Sequence, residues 1–136
     1  MGIRMLILVS LVIANLSSLA QNWGDSTLKN ESVFTSVEQP PKFKGGIKGF
    51  YQYLADNLSL PMNEFSFFSN KIVTVRAIIN KEGKIAYAEI EKGLNEAYNR
   101  AAIDVVIKMP VWSPAKQNAR PVFYYQLIPI LFLNNN

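Results

Sequence analysis

The chain has 136 residues, a formal net charge of +4, and neither cysteine nor histidine. Such a length holds one small domain with short extras. The two absences exclude disulfides, thiol nucleophiles, haem attachment, lipoprotein acylation, most zinc sites and the usual general base at neutral pH. Fourteen Lys and Arg against ten Asp and Glu, with no basic block, speak for solubility and against nucleic-acid binding.

Residues 1–20 place Arg4 ahead of an apolar run, residues 5–16, and then Ser18-Leu19-Ala20 before Gln21. The run is about 12 residues, short of the ~20 that span hydrocarbon. A signal peptide cleaved between Ala20 and Gln21 is the expectation, with an uncleaved anchor as the alternative. Arg4 stays on the cytoplasmic side in either case. Export without cysteine implies an extracytoplasmic protein held together by core packing. Residues 21–36 are polar, with Trp23, Val33 and Phe34 scattered and no usable period, and read as a linker. At ~3.4 Å per residue such a linker reaches only some ~55 Å fully extended.

In residues 37–46, Pro40 and Pro41 hold the backbone extended, and Gly45 and Gly46 allow a sharp bend. Residues 47–58 predict an amphipathic helix. Phe50, Tyr53, Leu54 and Leu58 form its core stripe, opposite Lys48, Gln52 and Asp56, and Leu60-Pro61 stops it. In residues 62–70, Phe65, Phe67 and Phe68 admit three readings: a loop under the first helix, an extra edge strand, or a partner-facing patch.

Residues 71–80 alternate as a strand, with Val73, Val75, Ala77 and Ile79 on one face. Residues 81–84 supply a hairpin turn with Gly83 at positive φ, and residues 85–91 return. Glu89 and Glu91 share a face with Ile85 and Tyr87. Two carboxylates at i, i+2 could form an acid/base pair, but nothing nearby supports it, and they read as solvent-facing. Residues 94–109 predict a second helix with Ala97, Ala101, Val105 and Met109 as its buried stripe, and Asn99, Arg100 and Lys108 off it. Pro110, Trp112 and Pro114 end it.

Residues 122–133 predict a long strand that is apolar on both faces. Val122, Tyr124, Gln126, Ile128, Ile130 and Phe132 line one face; Phe123, Tyr125, Leu127, Pro129, Leu131 and Leu133 line the other. A strand of that kind is normally central and covered on both sides, whereas a proline belongs on an edge or at a bulge. An edge strand whose outer face and free backbone await a partner satisfies both signals. The alternative is that the second face is covered by the first helix or by Phe65, Phe67 and Phe68. No residue from 71 to 133 is equipped for bond-making chemistry, so the expected use is binding and not catalysis, with no cofactor and no metal.

Residues 37–132 resemble the C-terminal domain of TonB-type energy transducers, in the form common among Bacteroidetes. Pro41, Phe43, Gly45 and Gly46 match the family's opening motif, roughly V-E-x-x-P-x-F-x-G-G. Asn57-Leu58 and Pro61 match the end of its first helix. Val73, Val75, Ile79, Gly83 and Ile85 match its valine-alternating hairpin, and Ala97 and Ala101 fall in its second helix. Met109-Pro110-x-Trp112-x-Pro114 followed by Lys116 is similar to its M-P-x-W-x-P-(G/A)-K signature. Pro121-Val122 and Pro129 match its final strand.

The resemblance implies an α+β domain over residues 37–133, followed by a tail at 134–136. It would be a two-layer sandwich, with a three-stranded antiparallel sheet and two helices on one face, in the order α-β-β-α-β. It implies work in the periplasm, where the domain grips the "TonB box" of an outer-membrane transporter by strand addition beside its last strand. The partner is thus an extended protein segment, of a transporter or another envelope protein. Val122, Phe123, Tyr124, Tyr125, Gln126 and Leu127 are the expected contact residues. Complete transducers also carry a membrane anchor and a long Pro-rich spacer, and a glycine-containing approach to the hairpin stands where this chain has residues 63–70. The chain thus resembles the gripping head without the arm. Two other readings stay open: a minimal anchored transducer, which touches the membrane only if the N-terminal segment is retained, and a structural envelope protein that pairs with a second copy of itself.

Overall fold

The sheet is built around β2 (Lys71–Ile79), whose odd residues Val73, Val75, Ala77 and Ile79 are fully buried. The computed structural model describes Leu28, residues 30–61 and residues 71–133. The signal segment, its Ala20–Gln21 cleavage point, Phe65, Phe67, Phe68 and the tail at 134–136 lie outside the described residues. Ser32–Asn136 forms one compact unit, separate from Met1–Glu31.

Along this unit run β1 (Val33–Phe34), α1 (Gly46–Asn57), β2, β3 (Ile85–Lys92), α2 (Glu96–Ile107), β4 (Lys116–Gln117), β5 (Arg120–Pro121) and β6 (Phe123–Phe132). The main sheet has the order β1-β6-β2-β3. The central β2 runs antiparallel to both of its long neighbours, β3 and β6, and β1 joins β6 in parallel, Val33 opposite Phe123 and Phe34 opposite Tyr124. The sheet is therefore four-stranded and mixed, where three antiparallel strands were expected. Two apolar residues in a polar stretch are too few to show a period of two, so β1 gave no signal in residues 21–36. β4 and β5 form a second, two-stranded sheet around Asn118 and Ala119, both at positive φ (51° and 61°). That turn carries alanine where a glycine normally marks the hairpin, and it was not expected.

The core lies on one face of the sheet. Leu54 of α1 and Tyr98, Ala102, Val105 and Val106 of α2 join Val73, Val75, Ile79, Ile128 and Ile130 there. The α1 stripe is as expected: Leu54 is buried, and Phe50, Tyr53 and Leu58 pack against the core. The α2 stripe is met in part: Val105 is buried and Ala101 and Met109 pack against the core, but the buried line is turned by about one residue towards Tyr98, Ala102 and Val106. Ala97 is exposed and Ala102 fully buried, because Tyr98 turns inward to meet Phe132 edge-on at 4.9 Å between ring centroids. Bulk at Tyr98 and Val106 decides the face, not the line of alanines. The Asn95 side chain caps this helix by accepting from the Tyr98 N–H at 3.0 Å.

Two glycine sites shape the connections. Gly45 and Gly46, at φ 82° and 67°, turn the chain from the extended 37–43 segment into α1. Gly83, at φ 82°, lies against the segment after α2: its carbonyl accepts from the Trp112 N–H at 2.8 Å, and a Cβ there would collide with the Trp112 carbonyl. The β2–β3 register slips between Ile78 and Ile79, opposite Tyr87 and Ile85 of β3, which brings Ile85 to the core together with Ala88 and Ile90. Ile85 therefore does not share a face with Tyr87 and Glu89, contrary to simple alternation. Among the described residues no helix is long and apolar enough to cross a membrane.

Candidate functional site

Among the described residues, the long strand β6 has one edge paired and one edge largely open. On the paired side its register with β2 runs unbroken from Lys71 opposite Phe132 to Ile79 opposite Tyr124, across Thr74 opposite Pro129. Proline has no N–H, so Thr74 and Pro129 cannot be a hydrogen-bonded pair. The bonded pairs must then be Val73 with Ile130, Val75 with Ile128, Ala77 with Gln126 and Ile79 with Tyr124. It follows that the backbone groups of Phe123, Tyr125, Leu127, Pro129 and Leu131 point away from β2, towards the other edge. β1 takes up this edge at Phe123 and Tyr124. Beyond Tyr125 no described strand covers it.

Alongside this free stretch runs an apolar groove of ≈ 480 Å³. Gln126, Leu127, Ile128 and Pro129 line one side, α1 contributes Ile47, Phe50 and Tyr51, and Pro41, Phe43 and Trp112 complete it. Tyr51 also lines a second hollow of ≈ 200 Å³, where Leu54, Leu58 and Leu60 meet Leu131 and Leu133. The two hollows thus follow one another along β6. Ile47 is 78% exposed, Tyr51 55% and Leu127 53%, so the lip of the groove is apolar side chain facing water.

The groove is fixed by an aromatic cluster. Phe43 packs edge-on against Trp112 (5.3 Å, 90°) and Phe50 (5.6 Å, 83°), and beside Tyr53 (5.6 Å). The Tyr53 hydroxyl donates to the Val105 carbonyl at 2.7 Å, tying α1 to α2; burial raises its pKa. Backbone bonds between Lys42 and Ser113, and between Gln39 and Lys116, hold the 39–42 segment in place. Pro41, Phe43, Gly46 and Trp112 therefore all line the groove, with Gly45 next to Gly46 in the chain. Gly83 supports Trp112 from behind, while Pro114 is half-buried beyond it and Pro61 follows α1.

The expected contact residues divide. The Val122 N–H donates to the Ala115 carbonyl at 3.0 Å, and Val122 precedes β6. Phe123 is buried, with Lys81 Nζ over its ring at 5.7 Å, and it and Tyr124 are paired with β1. Only Tyr125, Gln126 and Leu127 reach the open stretch. Pro129 and Leu131 belong to it as well and were not among the expected contacts. The phase that Pro129 imposes on a strand was the signal that could have found them.

On the other face of the sheet, Arg76 stands opposite Glu89 and bridges both carboxylates, at 2.7 Å to Glu89 and 3.1 Å to Glu91. The Tyr87 hydroxyl donates to Glu89 at 2.8 Å, and this bond, with burial, raises the tyrosine pKa. The two carboxylates are thus tied to a cation and half-exposed, not simply turned to solvent. Among the described residues no three His, Cys, Asp or Glu side chains gather as metal ligands.

No family model, no curated protein and no solved structure matches the chain.

Proposed function

We propose that residues 37–133 form a non-enzymatic, TonB C-terminal-like binding domain of the periplasm. It captures an extended segment of an outer-membrane transporter, or of another envelope protein, by strand addition along the open edge of β6. The observation that carries this reading is that the strand backbone from Leu127 to Leu131 has no further strand partner beyond β2 among the described residues and lies beside the apolar groove. Main-chain bonds supply affinity in such a contact, and side-chain pockets select the sequence. The motif resemblance supports the same edge.

Leu127→Pro removes an outward donor that the folded domain does not itself use. In a Trp23→Phe background Trp112 is the remaining tryptophan, and its fluorescence reports on the groove it lines. A synthetic TonB-box peptide should give a saturable signal, weakened about tenfold in Leu127→Pro with the far-UV spectrum preserved. Equal affinity in a folded Leu127→Pro variant would sink the proposal.

A further inference from the structure

Pro129 faces the edge of β6 that is open among the described residues, where it does nothing for the β2–β6 ladder. We infer that Pro129 guards this edge against a second copy of the chain and leaves it selective for a foreign segment. The inference rests on the edge being the binding surface proposed above.

The argument is one of register. Two copies pairing edge to edge about a two-fold axis bring together outward residues whose numbers have a constant sum. If Pro129 meets itself, Leu127 faces Leu131, both central bonds are lost and the two rings abut. If the strands slide by two residues either way, Pro129 opposes Leu127 or Leu131, and one bond is lost in each of two symmetric pairs. Every two-fold register that joins three or more outward pairs includes Pro129, so a homodimer meets the missing donor twice. A foreign segment meets it once, and can place a bulge, a proline or its own end there.

The neighbouring acceptor is also guarded. Gln126 Nε2 donates to the Leu127 carbonyl at 2.9 Å, so the chain's own amide occupies an outward acceptor of the edge. In a symmetric dimer this obstruction too counts twice. Removing a strand edge's hydrogen-bonding capacity is a recognised way to keep sheets from joining.

The full chain should therefore stay monomeric in analytical ultracentrifugation up to hundreds of micromolar, while Pro129→Ala forms a concentration-dependent dimer. Restoring one donor per copy should tighten self-association at least about tenfold. Adding Leu127→Pro to Pro129→Ala should return the monomer, which assigns the dimer to this edge. Gln126→Ala, which leaves the backbone ladder intact, should shift association the same way but less, and serves should Pro129→Ala fold poorly. The inference is overturned by a wild-type dimer that Leu127→Pro dissolves, by a folded Pro129→Ala that stays monomeric, or by a dimer that survives the added Leu127→Pro. Loss of the peptide effect of Leu127→Pro alone would remove the strand-addition reading and leave these association results standing.

Discussion

Trp112 and Gly83 are held so closely that neither can change alone. Gly83 combines positive φ with a carbonyl bonded to the Trp112 N–H, so Gly83→Ala meets both backbone strain and a collision. It should cost about 3 kcal/mol or more, seen as a lower urea midpoint with unchanged slope. Ala119 shows the opposite case. It takes φ 61° in an exposed turn, where the Glu38 carboxylate accepts from the Asn118 N–H at 3.3 Å and the Gln117 amide at 3.5 Å. Relieving the left-handed strain offsets the extra freedom glycine brings to the unfolded chain. Ala119→Gly should therefore raise Tm by roughly 2–4 °C in calorimetry. Tyr53 and Tyr87 both hold their protons above the ordinary 10.0, Tyr53 through burial and Tyr87 first through its bond to Glu89. A raised folded-state value means stability complete below pH ~10 and lost as pH climbs through the raised values. Tyr53→Phe, measured by denaturant melts between pH 9 and 11, should lose about 1 kcal/mol at pH 9 and show a shallower alkaline fall.

At the scale of elements, α1 and the β2–β3 hairpin were legible because each carries an unambiguous period and a turn residue with one conformation. The face of α2 was legible only to within one residue. Its alanines at 97 and 101 are small enough to sit on either side, and the ring of Tyr98 tipped the balance. Ala102→Leu should thus overpack the helix–sheet contact and cost about 1–3 kcal/mol, while Ala97→Leu should stay within ~0.5 kcal/mol. The reverse ranking in denaturant melts would restore the alanine stripe. The slip in β3 that turns Ile85 to the core, the two-residue β1 and the β4–β5 turn left no mark in the sequence. They are set by contacts with distant residues: Ile79 for Ile85, Phe123 and Tyr124 for β1, and Glu38 for the turn. The ion pairs of Arg76 with Glu89 and Glu91 were hidden for the same reason, since they depend on cross-strand register.

For the molecule as a whole, the conflict between a two-sided apolar strand and its proline resolves by position along β6. The strand is internal where β1 pairs with Phe123 and Tyr124 and, among the described residues, an edge from Leu127 onward, where Pro129 turns its missing donor outward. The groove could be foreseen only in part. Its aromatic members are scattered over residues 43, 50, 51 and 112, and only the fold brings them beside β6. An edge of defined phase beside an apolar groove is suited to reading an extended chain.

That phase gives the most direct test, amide hydrogen exchange resolved by residue with and without a synthetic TonB-box peptide. In the free protein the β6 amides of Gln126, Ile128 and Ile130 should be protected by β2, and those of Leu127 and Leu131 should exchange fast. Saturating peptide should slow Leu127 and Leu131 selectively. Binding that leaves these two amides fast, or a free protein in which they are already protected, would contradict strand addition at β6.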